Sequence, residues 1–351
     1  MSGEIDNFRA ENDMCKTAIP PEIGLVLYPG VQMASALGMT DMLNFAEYAA
    51  AKKQPTRNEP LLRISHWQSK APGKMPSRIF ATSETQEELP TVLVLPPSLS
   101  EPLSSDAASG YARWLRTCHD KGIALASICA GAFVLGETGL LSGRPVTTHW
   151  MYGETFAQRF PDASLNIDRL VIDDGDIITA GGVMAWVDLS LKMIDRYLGP
   201  TIMQETARTF LVDPSGREQS YYSAFSPKLN HGDEAVLKLQ HWLQTTKAKK
   251  ADLSVLARRA GLQQRTLLRR FQKATGLTTS EYVQRLRVGQ AQELLQFSDR
   301  SVDTIAWEVG YADPGAFRKV FSKVVGLTPS SYRRRFRPSQ RVATTSEHTT
   351  E

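Results

Sequence analysis

The carboxyl-terminal part of this chain repeats itself, and the repeat limits what the chain can fold into more than any other feature. Ala260-Gly261-Leu262 returns as Val309-Gly310-Tyr311, and Phe271, Gly276-Leu277-Thr278 and Tyr282 return as Phe321, Gly326-Leu327-Thr328 and Tyr332. The offset is 49 residues for the first block and 50 for the rest, so one inserted residue near Asp313-Pro314 accounts for the change. An ordered set of matches like this marks one supersecondary unit used twice.

Each copy has the parts of a helix-turn-helix. Over 253–260, Leu253, Leu256 and Ala257 share a face at helical spacing, and the small Ala257 lets a second helix cross closely. Gly261 supplies a residue able to take positive φ in a tight turn. The next helix, 264–274, buries Leu267 and Phe271 and leaves Arg265, Arg269 and Arg270 outside. The second copy repeats this with Ile305 and Ala306, turn glycine Gly310, core Phe317 and Phe321, and outward Arg318 and Lys319. Between the copies, 280–296 is amphipathic, with Tyr282, Leu286, Ala291, Leu294 and Leu295 toward the core. A helix of about 17 residues spans roughly 25 Å. Such a spacer can hold two recognition helices near one DNA turn apart, about 34 Å, so that both reach successive major grooves.

Charge supports the same partner. Residues 247–341 carry +13 and the remainder −9, which together give the net +4 of the chain. The basic end is suited to a polyanion and the acidic end is not.

At 351 residues and 42% hydrophobic content, the chain is long enough for two packed domains. The first residues, 1–16, are acidic and lack the apolar stretch of a signal peptide, and no run approaches a membrane helix, so a cytoplasmic protein without membrane contact is expected. Cys15, Cys118 and Cys129 have no metal-ligand spacing and cannot all pair; neither a metal, a cofactor nor a disulfide framework is expected.

In the amino-terminal part, Ile23-Gly-Leu-Val-Leu27, Val92-Leu-Val-Leu95 and Ile123 to Ser127 read as short buried strands alternating with helices over 34–51 and 105–121. The alternation predicts a parallel sheet covered on both faces. Two β-type runs flank Asp173-Asp-Gly175 and predict a hairpin, after which Gly181-Gly182 opens a helix to Tyr197. Cys129 follows the strand 123–127 and precedes a helix, in Ala126-Ser-Ile-Cys-Ala-Gly-Ala132. This is the setting of a nucleophile elbow, where the helix terminus lowers a thiol pKa.

Two resemblances follow from these residues. RTLLRRFQKATGLTTSEYVQRLR and SVDTIAWEVGYADPGAFRKVFSKVVGLTPSSYRRRF, from about 251 to 336, resemble the DNA-binding domain of the AraC/XylS regulator family. That resemblance places Gln264, Arg265, Thr266, Leu268, Arg269 and Arg270 of the first unit, and Pro314, Gly315, Arg318 and Lys319 of the second, at the DNA. Pro314 and Gly315 cannot read bases through polar side chains, so the second unit is expected to contribute mainly phosphate contacts and positioning. CAGAFVLGETGLLSGRPVTTHW from Cys129 and TAGGVMAWVDLSLKMI from Thr179 resemble the class I glutamine amidotransferase-like fold, in particular the PfpI type, over 23–211. Enzymatic relatives place His directly after the cysteine, a carboxylate after the first strand and a Gly-rich turn after the preceding strand. Here these positions hold Ala130, then Gln32, Ala34 and Ser35, then Pro96-Pro97-Ser98. A hydrolase is therefore not expected, and Cys129, Ala130, His149, Gly181 and Gly182 are read instead as the lining of a ligand pocket.

The combined expectation is a flavodoxin-like parallel α/β sandwich over 21–212, for sensing and dimerisation, and an all-helical DNA-binding domain with two helix-turn-helix units over 234–338. A tail (1–20), a linker (213–233) and a second tail (339–351) complete it. The implied function is a sequence-specific transcription regulator of a metabolic operon, in amino-acid, amine or related nitrogen metabolism. Its partners would be double-stranded DNA, RNA polymerase, a small-molecule effector and a second copy of itself. The alternatives are a cysteine-dependent hydrolase or isomerase of the PfpI type with a nucleic-acid-binding tail, and an architectural DNA binder without ligand response.

Overall fold

The computed structural model describes residues 20–337 except 58, 72–73, 84–88, 215–216, 224, 226, 230 and 250. The tail readings up to residue 19 and beyond 338 lie outside the described residues. The chain divides between Arg217 and Glu218 into two compact units.

The first unit runs β1 (Glu22–Leu27), α1 (Met33–Ala51), β2 (Arg63–Gln68), β3 (Ser77–Ala81), β4 (Val92–Leu95), α2 (Ser105–His119), β5 (Ala124–Ile128), α3 (Gly131–Gly136), β6 (Pro145–Val146), α4 (Gly153–Arg159), β7 (Ser164–Leu165), β8 (Val171–Asp173), β9 (Ile177–Ala180), α5 (Trp186–Leu198) and α6 (Pro200–Thr209). Seven strands form one sheet in the order β3-β2-β1-β4-β5-β9-β8, with β3 and β8 antiparallel at the edges. The parallel strands between them, taken in chain order, follow the flavodoxin-like 2-1-3-4-5 arrangement. Alternate strand residues enter opposite cores. Ile23, Leu25, Val92 and Val94 pack on the α1, α5 and α6 side, while Val26, Leu93 and Leu95 pack on the α2, α3 and α4 side. Because both faces are covered, β4 and β1 from Ile23 to Leu27 run without a polar side chain, whereas β2 places Arg63, Ser65, His66 and Gln68 among its apolar residues. The hairpin expected around Asp173-Asp-Gly175 is the β8–β9 pair.

The second unit has α7 (Glu234–Thr245), α8 (Leu253–Ala260), α9 (Gln264–Thr275), α10 (Thr279–Phe297), α11 (Val302–Glu308), α12 (Pro314–Val325) and α13 (Pro329–Phe336). It contains two hydrophobic cores. One gathers Leu239, Leu243, Leu256, Leu267, Phe271 and Tyr282; the other gathers Val288, Leu295, Ile305, Phe317, Phe321 and Tyr332. The long helix α10 supplies residues to both, with its first half in one core and its second half in the other.

The linker expected over 213–233 is corrected by the structure, because its larger part is folded onto the helical unit. Ser220 Oγ donates to Val325 O at 3.0 Å, and the Arg335 guanidinium lies 5.7 Å from the ring centroids of both Tyr221 and Tyr222. Phe225 meets Tyr282 edge-to-face at 5.2 Å, and Gln240 Nε2 donates to Lys228 O at 2.9 Å. Tyr221 is buried and Phe225 half-buried, while Tyr222 stays exposed beside Phe336, so the segment is held against the first core at Phe225 and beside α12 and α13 at Ser220 and Tyr221.

Candidate nucleic-acid interface

The repeated Gly-Leu-Thr has a structural cause. Gly276 and Gly326 end α9 and α12 in the left-handed region, at φ 75° and 85°, and two residues later Thr278 and Thr328 cap the next helix. Thr278 Oγ1 accepts from Glu281 N at 3.2 Å while Glu281 Oε2 accepts from Thr278 N at 2.9 Å, a reciprocal capping box. One glycine and one threonine thus turn each recognition helix into its successor at a fixed angle.

On α9, Leu267, Phe271 and Ala274 face inward, while Gln264, Arg265, Leu268 and Arg269 are exposed and Thr266 is half-buried. Arg265 and Arg269 stand one helical turn apart, on one outward face. Arg270, also expected at the DNA, is held by a carboxylate. Its Nε and Nη2 donate to the Asp233 carboxylate at 2.8 and 2.7 Å, and the same carboxylate accepts from Val236 N at 3.1 Å to cap α7. The Arg270 guanidinium holds the Asp233 carboxyl below its usual range. A side chain bound in this way ties α9 to α7.

The second copy is electrostatically weaker. Asp313 caps α12 by accepting from Gly315 N and Ala316 N, both at 2.9 Å, so a carboxylate occupies the helix end that would otherwise attract phosphate. Arg318 is paired with Asp303 of α11, while Lys319 is exposed. Pro314 and Gly315 are half-buried in the first turn. The structural correspondence of the copies sets Arg265 against Gly315, Leu268 against Arg318 and Arg269 against Lys319. The unpaired cationic face therefore lies mainly on α9.

Helical periodicity identified the outward arginines, but it did not reveal Asp233 and Asp303 as their partners. Asp233 lies 37 residues from Arg270, so only the folded chain brings them together.

In the α/β unit, Cys129 sits between β5 and α3 with φ 54°, a left-handed value that non-glycine residues seldom adopt. Its N–H donates to Ala180 O and its C=O accepts from Thr148 Oγ1, both at 2.8 Å. These bonds bring Cys129 and Ala130 next to the 148–149 segment and to the end of β9, which Gly181 and Gly182 follow. The elbow geometry is present, but the expected acidic thiol is not. Cys129 is 1% exposed, and burial pushes its thiol up to about 11, against a smaller downward pull from a hydrogen bond with the Ala130 backbone. His149 Nδ1 accepts from Met151 N at 3.1 Å, and burial lowers the pKa of this ring. At the switch point of the sheet, Gln32 N donates to Pro97 O at 2.7 Å and Val31 bridges Ser98, which draws together the loops after β1 and β4. Among the described residues no cluster of three His, Cys, Asp or Glu is placed to hold a metal ion, and no helix is long and apolar enough to cross a membrane.

Cys118 and Cys129 are both buried thiols pushed up to about 11, so both should resist a water-soluble alkylating reagent at neutral pH and become modified on unfolding. Because their folded pKa values exceed those of the unfolded chain, the stability they contribute is complete below the ordinary thiol pKa and is lost as pH rises toward about 11. Rapid labelling of native Cys129 at neutral pH would contradict this.

Comparison with known proteins gives two family matches, a Helix-turn-helix domain over residues 256–335 and the DJ-1/PfpI family over 78–196. The chain is 30% identical over 225 residues to the HTH-type transcriptional regulator GlxA of Rhizobium meliloti (strain 1021), across 63% of this chain and 68% of that protein. It is 25% identical over 339 residues to the HTH-type transcriptional regulator ArgR of Pseudomonas aeruginosa, across 94% of this chain and 98% of that protein. Among solved structures, an AraC family transcriptional regulator from Pseudomonas putida aligns with 54% of this chain and 100% of its own, at 20% identity and a TM-score of 0.43.

Proposed function

We propose a function from one premise: this chain belongs to the family of HTH-type transcriptional regulators that join a DJ-1/PfpI domain to an AraC-type helix-turn-helix domain. It regulates transcription by binding DNA. In our reading, α9 enters a major groove and reads bases through Arg265 and Arg269, with Gln264, Thr266 and Leu268 beside them. α12 enters the next groove and holds the duplex chiefly by its backbone, through Lys319 and the first turn at Pro314 and Gly315. The single observation that carries this reading is the exposed Arg265–Arg269 face on a helix whose opposite face is locked into a core.

Much of the affinity should then come from phosphate neutralisation. The logarithm of the binding constant should fall linearly with the logarithm of salt concentration, with a slope near −0.9 for each phosphate neutralised. A fluorescence anisotropy titration of the full chain at several salt concentrations checks this, and a flat line would remove the duplex from the account.

The α/β unit, in this proposal, senses a small molecule at the carboxyl ends of β5 and β9, where Cys129, Ala130, His149, Gly181 and Gly182 meet, and brings two copies together. Open α/β sheets bind ligands at that edge. The regulated genes would serve amino-acid, amine or related nitrogen metabolism, with RNA polymerase as a further partner and the cytoplasm as the place of action. Selection of bound fragments from a genomic library tests the gene assignment, and a metabolite panel read by melting temperature tests the pocket. The buried, protonated thiol and the Ala130 that follows it where enzymatic relatives hold His favour a non-enzymatic unit over the hydrolase or isomerase alternative. Turnover that disappears in Cys129→Ala would reverse that preference.

A further inference from the structure

The two helix-turn-helix units rest on separate cores, so something must fix the angle between α9 and α12 if both are to enter one duplex. The helix α10 passes from the first core, at Tyr282, Val283 and Leu286, to the second, at Val288, Ala291 and Leu295. Arg287 stands at the changeover. Its Nε and Nη2 donate to Ala248 O at 3.1 and 2.8 Å, and Nη2 also reaches Lys249 O at 3.5 Å. On its other side the guanidinium carbon lies 5.4 Å from the ring centroid of Tyr311, which meets Phe317 of α12 at 5.5 Å. One side chain therefore touches the turn that leads into α8 and, through Tyr311, the core face of the second recognition helix.

Both ends of this contact are built for it. Lys247 and Ala248 are consecutive non-glycine residues in the left-handed region, at φ 53° and 50°. Such backbone is held only where its surroundings demand it. Here the Ala248 side chain is fully buried in the first core, its N–H donates to Leu243 O at 2.8 Å, and its carbonyl is turned toward α10. At the other end Gly310 has φ 92°, and a β-carbon there would stand 3.1 Å from the guanidinium carbon of Arg287, so any side chain would push the arginine away. Two residues along α10 lies Gly289, inside a helix, where a β-carbon would meet nothing within 4 Å. Packing does not require glycine at this position, and an interior glycine leaves the helix easier to deform.

We propose that Arg287 is a positioning residue for DNA recognition: by joining Ala248 and Lys249 to Gly310 and Tyr311, it sets the angle between the two recognition helices, with Gly289 as the compliant point of the same joint. The inference rests on the reading that both units engage one duplex. A guanidinium suits the task because its planar fork bonds carbonyls along one edge while a face stacks on an aromatic ring. Lysine retains the charge but not the fork.

The test uses the full chain and a random duplex library. Wild-type protein should select two sequence blocks at one fixed separation. Arg287→Met, which keeps an apolar stem, and Arg287→Lys, which keeps the charge, should both select the same first block with a broadened separation. Both should bind the wild-type two-block duplex about tenfold more weakly, as expected when a rigid link loses effective concentration, and bind a duplex holding the first block alone as wild type does. Adding Gly289→Ala to Arg287→Met should narrow the separations again, which a general loss of stability would not do. Variants that keep the wild-type separation and affinity overturn the role of Arg287, as does equal weakening on one-block and two-block duplexes. A wild-type protein that selects only one block, with no fixed separation, overturns the two-groove reading and this inference with it.

Discussion

Phe271→Ala should destabilise the first helix-turn-helix unit by about 3–5 kcal/mol, the usual cost of removing a buried phenylalanine ring from a packed core. The ring is fully buried and meets Tyr282 edge-to-face at 5.2 Å, and Tyr282 meets Phe225 in the same way. Removing Phe271 therefore unseats Tyr282, on which α10 and the 218–233 segment both close. Against a typical domain stability of ~5–15 kcal/mol, that loss unfolds a substantial fraction of the unit near physiological temperature. Calorimetry of the full chain should show the helical transition moving down while the α/β transition stays in place, and specific DNA binding should weaken with the former. Phe321→Ala should do the same in the second core, where Phe321 packs on Phe317 and Tyr332. A helical transition lowered by less than a degree in both variants would mean that the two cores do not carry the stability assigned to them.

These two phenylalanines also explain why the helical part was legible in the sequence. They recur at a fixed offset and are flanked by a turn glycine and a capping threonine, and each signal is local: period, turn and cap act within a few residues. The helix over 253–260 and the start of α9 at Gln264 could be read directly for that reason. β1, β4 and β5 were equally readable, because a fully buried parallel strand is a largely apolar run, whereas β2, with Arg63, Ser65, His66 and Gln68, lacks that signal. What the sequence concealed depends on distant neighbours. Arg270 and Arg318 look like Arg265 and Arg269 in a helical projection, and only the arrival of Asp233 and Asp303 distinguishes them. Cys129 looked activated because a helix terminus follows it, yet burial outweighs that influence. The 213–233 stretch looked like a linker because Ser, Pro and Gly outweigh three aromatics in composition, although those aromatics decide where it packs.

The contrast between free and paired arginines leads to the second large effect. Arg265→Ala should cost about 1–3 kcal/mol of specific binding, roughly a 5- to 150-fold loss, and relax preference at one base position, because a bidentate arginine–guanine contact contributes discrimination as well as affinity. Arg265 can make that contact from where it stands, exposed in the first turn of α9. Arg318 shares a half-exposed pair with Asp303 that DNA must displace, a cost of at most about 1 kcal/mol, so Arg318→Ala should cost less and alter no single base preference. Asp303→Ala separates the two possibilities: it releases Arg318 without removing it and should raise affinity for all sequences alike, as a freed cation near phosphate would. Binding of each variant to a panel of single-base operator changes provides the comparison. Should Arg265→Ala weaken every sequence by one common factor while Arg318→Ala changes a base preference, the base-reading role belongs to α12 and the assignment of the two units must be exchanged.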